Sequence, residues 1–187
     1  MLRKTLAENI KIKKKLIKLE SKINTVIEII TACFDNGGKI LICGNGGSAA
    51  DAQHLAAEFL IRLRPKVNRD PYPVMSLAMD TSTLTACGND IGFDKIFARN
   101  LEAFGKENDL LLVISTSGKS KNILNVLKAA KKNNIPSVGF LGSGGGAAKN
   151  LVDYNLIVPS SNTARIQECH IFLGHFIFEQ VENNLIK

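Results

Sequence analysis

His54 and Glu58 lie four residues apart in a helix-forming stretch, Ala49-Ala-Asp-Ala-Gln-His-Leu-Ala-Ala-Glu-Phe-Leu60, so an imidazole and a carboxylate share one helix face a turn apart. Gln167, His170 and His175 are spread along a second helical stretch near the C-terminus, with 167 and 175 two turns apart on broadly the same side. Such groups suit proton transfer beside a carbonyl. Converting a ketose to an aldose needs a base to take a proton from the carbon next to the carbonyl and an acid to serve the oxygens, through an enediol. Glu and His can both be tuned toward neutral pKa for that work. Plainer readings stand beside these: His54 with Glu58 also describes an ordinary surface ion pair, and His170 in an apolar stretch also describes a core residue.

Two loops could hold an anionic substrate against these groups. Cys43-Gly-Asn-Gly-Gly-Ser48 follows the apolar run Lys39-Ile-Leu-Ile-Cys43, and Ser115-Thr-Ser-Gly-Lys-Ser120 follows Asp109-Leu-Leu-Leu-Val-Ile114; each opens a helical stretch. A loop at a helix start presents free backbone N–H groups and the positive end of the helix dipole, which suits a phosphate. Nucleotide motifs fit poorly. Gly44-Asn-Gly46-Gly-Ser-Ala49 matches the loose dinucleotide pattern, but the acidic residue needed about 20 positions later is missing, since residues 63–67 read Leu-Arg-Pro-Lys-Val. Gly118-Lys119-Ser120 resembles the end of a P-loop, yet its first glycine would fall at Val113.

The elements that must position these groups are those of an α/β fold. Apolar strand candidates at 39–43, 73–79, 109–114, 136–141 and 154–158 alternate with helical stretches, and a helix over 163–185 closes the chain. That alternation predicts a parallel sheet of about five strands flanked by helices, with ligands at the carboxyl ends of the strands. Residues 1–34 form a helical segment ahead of an α/β core over 35–187, a single domain with no linker-like stretch. In that segment Ile12, Leu16, Leu19, Ile23, Val26, Ile30 and Cys33 alternate spacings of four and three, a heptad seam that could cover the domain's own sheet or pack on a neighbouring subunit.

The chain has 187 residues, 45% of them apolar, and can bury a full core. Its four cysteines form no CxxC pair, which predicts reduced core thiols and a cytoplasmic protein. No leader or membrane span is expected, because no apolar run approaches the roughly 20 residues a spanning helix needs. The net charge of +7 owes much to the first 18 residues, Lys11, Lys13, Lys14 and Lys15 among them, and reads as a solvated helix face rather than a nucleic-acid footprint.

Four segments in order, Cys43–Glu58, Gly88-Asn-Asp-Ile-Gly-Phe93, Ile114–Ser120 and Ala164-Arg-Ile-Gln-Glu-Cys-His170 with His175, together resemble the phosphoheptose isomerases of the sugar isomerase (SIS) family. The resemblance implies an SIS fold with an N-terminal oligomerisation helix and a homotetramer with pockets at subunit interfaces. It also implies conversion of sedoheptulose 7-phosphate to D-glycero-D-manno-heptose 7-phosphate, the entry to activated heptose for lipopolysaccharide or capsule. By position it makes Glu58 and His175 the acid/base pair, and Ser115, Thr116, Ser117 and Ser120 the phosphate cradle. Asn45, Gly46, Gly47, Ser48, Arg62, Asn89, Asp90 and Gln167 would line the sugar. It further implies one zinc per subunit on His54, Glu58, Gln167 and His175. Ala164 stands where some relatives have Asp, and Leu60-Ile61 replaces small polar residues before Arg62. The alternatives are a non-catalytic SIS regulatory protein that binds a protein partner, and an isomerase of another sugar phosphate.

Overall fold

The computed structural model describes residues 1–186. The chain begins with α1 (Leu2–Lys15), a 3-10 turn (Leu16–Leu19) and α2 (Glu20–Asp35). The core then alternates as β1 (Ile40–Gly44), α3 (Gly47–Leu60), β2 (Val74–Ser76), α4 (Thr81–Asp90), α5 (Ile96–Phe104), β3 (Leu110–Ser115), α6 (Lys121–Lys132), β4 (Ser137–Leu141), β5 (Tyr154–Ile157) and α7 (Thr163–Leu185). The start signals are chemical: the Asp80 carboxylate accepts from the Ser82 and Thr83 amides to cap α4, and the Asn162 side chain accepts from the Ala164 and Arg165 amides to cap α7.

All strands pair in parallel, in the order β2-β1-β3-β4-β5. The residues of β1, β3 and β4 are buried on both faces, which is why they read as continuous apolar runs. Ile40, Ile42, Leu110, Leu112 and Ile114 face a core shared with α2, α3 and α7, while Leu41, Cys43, Leu111 and Val113 face a second core built with α5 and α6. This strand order reverses direction between β1 and β3, so the crevice beyond their carboxyl ends is where such sheets bind ligands. The two loops singled out above leave those two strands.

Two expectations change in detail, and one open alternative is decided. The second strand is three residues, not seven, because Ser76 Oγ accepts from the Ala78 amide (3.3 Å) and turns the chain. The N-terminal helix is interrupted by the 3-10 turn. The heptad seam faces inward: Ile12, Leu16, Ile23, Val26, Ile30 and Cys33 are buried in the chain's own core with Leu19 packed beside them. A different set, Leu2, Leu6, Ile10 and Ile17, is left exposed. Among the described residues no helix is long and apolar enough to cross a membrane. The four cysteines are buried and unpaired.

Candidate active site

The glycine loop after β1 is shaped by two demands. Gly46 has φ +55° and ψ −122°, a backbone state that L side chains rarely adopt. At Gly47 a Cβ would come within 2.4 Å of the Gln167 amide, so the absence of a side chain lets α7 lie against the start of α3. Ser48 is buried in the first turn of α3. Asn45 is locked to Asn122 at the start of α6 by a reciprocal amide pair, Nδ2 to Oδ1 at 2.9 Å one way and 2.8 Å the other. Two hydrogen bonds therefore tie the glycine loop to the first turn of α6.

The loop after β3 folds on itself. Buried Ser115 Oγ accepts from the Gly118 amide (3.0 Å), Ser117 Oγ accepts from the Lys119 amide (3.2 Å), and Thr116 is half-buried between them. Ser120 has extended geometry at the cap of α6, but its hydroxyl makes no capping bond. The Ile123 amide donates to the Asn122 side chain (3.0 Å), which leaves the Ser120 hydroxyl and the Lys121 and Asn122 amides for an anion at the positive end of a 12-residue helix. A cleft of about 740 Å³ opens there, lined by Asn45, Gly46, Phe93, Asp94, Ser120, Lys121 and Asn122.

The titratable cluster lies farther along α3. His54 Nε2 is 2.8 Å from His175 Nε2 and 3.4 Å from Glu58 Oε1, and ligand atoms of all three lie within 4.8 Å of one another. The imidazoles meet edge to face. His54 is exposed, while Glu58 and His175 are half-buried. Asp51, one turn before His54, has a buried Oδ2 with no hydrogen-bond partner. Burial pushes its carboxyl pKa up against the opposing pull of His54 and His175.

Not every expected residue arrives here. Gln167 sits against Gly47, seven residues before His54, which is about 10 Å along the helix at 1.5 Å per residue. Three of the four expected metal ligands therefore meet, and the fourth stands at the glycine loop. Asn89 and Asp90 end α4, where the Asn89 amide donates to Asp90 (2.7 Å) and Asp90 faces a separate cleft with Arg99. Asp94 lines the loop cleft instead, held by the Asn125 amide (2.9 Å). Arg62 is exposed just beyond α3. Sequence reasoning passed over Asp51, Phe93, Asp94 and Asn122 as site residues. The i, i+3 spacing of Asp51 and His54 was the available signal for the first, and the position of Asn122 two residues after Ser120 for the last.

His170 is a core residue. It is fully buried against Phe140, and neither ring nitrogen makes a hydrogen bond of acceptable geometry, although the Leu141 carbonyl lies close enough to favour the charged ring. Burial outweighs that carbonyl and holds the pKa down to about 4.

A parallel sheet with serine- and glycine-rich loops at its switch point and an acid/base cluster on the flanking helices defines a class: the chain belongs to the SIS domain family, whose model matches residues 6–142. Within that family it groups with the phosphoheptose isomerases. It is 49% identical to the phosphoheptose isomerase of Pelodictyon phaeoclathratiforme over 87% of this chain and 78% of that one. It is 47% identical to that of Clostridium acetobutylicum over 95% and 91%. The solved structure of the phosphoheptose isomerase from Neisseria gonorrhoeae superposes with a TM-score of 0.91 at 39% identity, covering 97% of each chain.

Proposed function

We propose that this protein is a phosphoheptose isomerase that converts sedoheptulose 7-phosphate to the corresponding aldoheptose 7-phosphate, a precursor of activated heptose for surface polysaccharide. The observation that carries the reading is the meeting of Glu58 and His175, from helices 117 positions apart in sequence, on a chain whose serine loop leaves a helix start free for phosphate. In the ketose-to-aldose direction, Glu58 takes a proton from C1 while His175 gives one to the C2 carbonyl oxygen, forming the enediol. Glu58 then returns its proton to C2, and His175 takes the O1 proton as the C1 carbonyl forms. Two protons move and none is gained, as acid/base isomerisation requires. Ser115, Thr116, Ser117 and Ser120 cradle the phosphate, and Asn45, Gly46, Gly47, Ser48, Arg62 and Gln167 hold the sugar. Asn89 and Asp90 serve a pocket only if a neighbouring copy brings them there.

The donor set also fits zinc. The separations of 2.8 and 3.4 Å among the His54, His175 and Glu58 donors compare with about 3.3 Å between ligands on a tetrahedral zinc with bonds near 2.0 Å, and Asp51 adds an unpartnered carboxylate oxygen nearby. Bound there, zinc would act as a Lewis acid on a substrate oxygen. A homotetramer with interfacial pockets is supported by the exposed apolar side chains Leu2, Leu6, Ile10, Ile17, Phe172 and Phe176, the last three of which line a groove between the N-terminal helices and α7.

The test is turnover of sedoheptulose 7-phosphate followed by NMR, with the metal-free protein and with zinc added back. Production of the aldose supports the assignment; no turnover in either state, with the protein folded, overturns it in favour of a binding protein or another sugar phosphate.

A further inference from the structure

We propose that Arg69 and Glu182 form a positioning brace that sets the separation of the two helices carrying Glu58 and His175, an inference that rests on the assignment of those two groups as the reacting pair. Glu182 is fully buried, and its carboxylate takes Arg69 Nε on one oxygen (2.6 Å) and Arg64 Nε on the other (2.5 Å). The Arg69 side chain is 3% exposed, and three more of its donors are used on backbone: Nη2 to the Glu58 carbonyl (3.0 Å), and Nη1 to the Phe59 (2.8 Å) and Asp70 (2.9 Å) carbonyls. Its guanidinium lies over Tyr72, 4.7 Å from the ring centre.

The placement ties the brace to the chemistry. Glu58 stands in the last turn of α3, where helices fray because the final carbonyls have no partner within the helix. A guanidinium on the carbonyls of Glu58 and Phe59 satisfies them and complements the negative end of the helix dipole. Glu182 is seven residues after His175, so it lies on nearly the same face of α7, about 10 Å farther along. Arg69 thus links the peptide group of Glu58 to a carboxylate on the His175 face. Apolar residues of equal volume could stabilise the fold as well as this buried ion pair does, but they would not hold direction. Beside the cluster, on the side away from the brace, the helices touch closely: a Cβ at Gly174 would come within 2.6 Å of Leu55. The α3–α7 gap is therefore set by packing at one point and by the brace at another, and the proton-transfer pair inherits the result.

The experiment compares Arg69→Lys and Glu182→Gln with Leu127→Ala, which removes buried volume from the core on the opposite face of the sheet. Thermal melts identify a temperature at which every variant is folded. Displacing one reacting group by about 1 Å costs on the order of 100-fold. The brace variants are thus expected to lose about 10- to 100-fold in kcat with KM within about threefold, and Leu127→Ala to stay within about twofold. Arg69→Lys added to Glu58→Gln should cost little more than Glu58→Gln alone, because the brace acts through Glu58. Affinity for Co²⁺ alone should fall at least about 10-fold in the brace variants and not in Leu127→Ala. If Arg69→Lys and Glu182→Gln do not fold, Arg64→Gln, at a half-exposed partner, takes their place with a smaller kcat loss expected. A kcat and Co²⁺ affinity that follow Leu127→Ala at equal loss of melting temperature overturn the brace. Full activity in Glu58→Gln instead overturns the catalytic assignment, and the Co²⁺ comparison still decides whether Arg69 sets the geometry.

Discussion

Ser115 and Gly118 are three residues apart and joined by a direct hydrogen bond, whereas His54 and His175 are 121 residues apart and meet only because α3 and α7 cover the same face of the sheet. The serine loop is local: its hydroxyls satisfy its own amides, and its position follows from the end of β3. The His54–Glu58–His175 cluster is a product of packing, with Leu55, Phe59, Leu173 and Phe178 in one apolar core beneath it and Phe59 against Phe178 at 4.1 Å between ring centres. A substrate grip made from neighbours in sequence survives small shifts elsewhere. The proposed catalytic pair, made from distant helices, does not, so the two regions should answer differently to substitution.

Removing one member of the reacting pair is the strongest way to separate them. Glu58→Gln and His175→Gln should each lower kcat by about 1,000-fold, the middle of the usual range for a positioned acid or base, with phosphate affinity retained in isothermal titration against substrate. Turnover in both variants comparable to that of the unmodified protein would break the contrast at its root.

Acid should weaken the packed region through His170. The folded ring resists protonation down to about pH 4, while an unfolded histidine takes its proton near 6.5. Below 6.5 the unfolded state binds the extra proton, so the stability of the neutral buried ring is fully present above 6.5 and is lost as pH falls toward 4. That loss amounts to a few kcal/mol, and His170→Phe should remove this part of the pH dependence in urea titrations between pH 7 and 4.5.

The serine loop should give smaller and differently shaped effects. Ser120→Ala removes a hydroxyl that the fold does not use, so KM should rise about 5- to 10-fold with kcat little changed and melting temperature unaltered. Ser115→Ala leaves the buried Gly118 amide without its acceptor. A KM rise of similar size should come with a melting-temperature loss equivalent to about 1–2 kcal/mol. Ser117→Ala, near the surface, should change KM by no more than about threefold.

The same contrast explains how much could be read from the chain. Four of the five strands lie within a residue or two of their predicted limits, because parallel strands buried on both faces leave uninterrupted apolar runs, and α7 begins at Thr163 where a helix was expected. The serine loop and the His54–Glu58 pair were visible because their partners are three or four positions away. The approach of His175 followed from family resemblance rather than spacing, since contact across 121 positions leaves no periodic trace. Gln167 was expected among the metal ligands from the resemblance alone, and its amide lies against Gly47 at the start of α3. The seam on the N-terminal helices was visible as a pattern, while the direction it faces depended on the groove left between α3, α7 and the sheet. A buried partner such as Glu182 gave no signal, because a polar residue that pairs in the interior looks in sequence like one on the surface.

The position of α7 has a consequence for synthesis. Its inner face, Ile166, Cys169, Leu173, Ile177 and Val181, completes the core that α2 and α3 begin, and it also carries His175. A nascent chain emerges from the N-terminus at about 5–20 residues per second, so helices made first must wait for the last one before that core can close. During that interval the apolar sides of α2 and α3 stay uncovered and depend on chaperones or on speed. A chain that stops short of residue 163 lacks both that cover and His175, one half of the proposed proton-transfer pair.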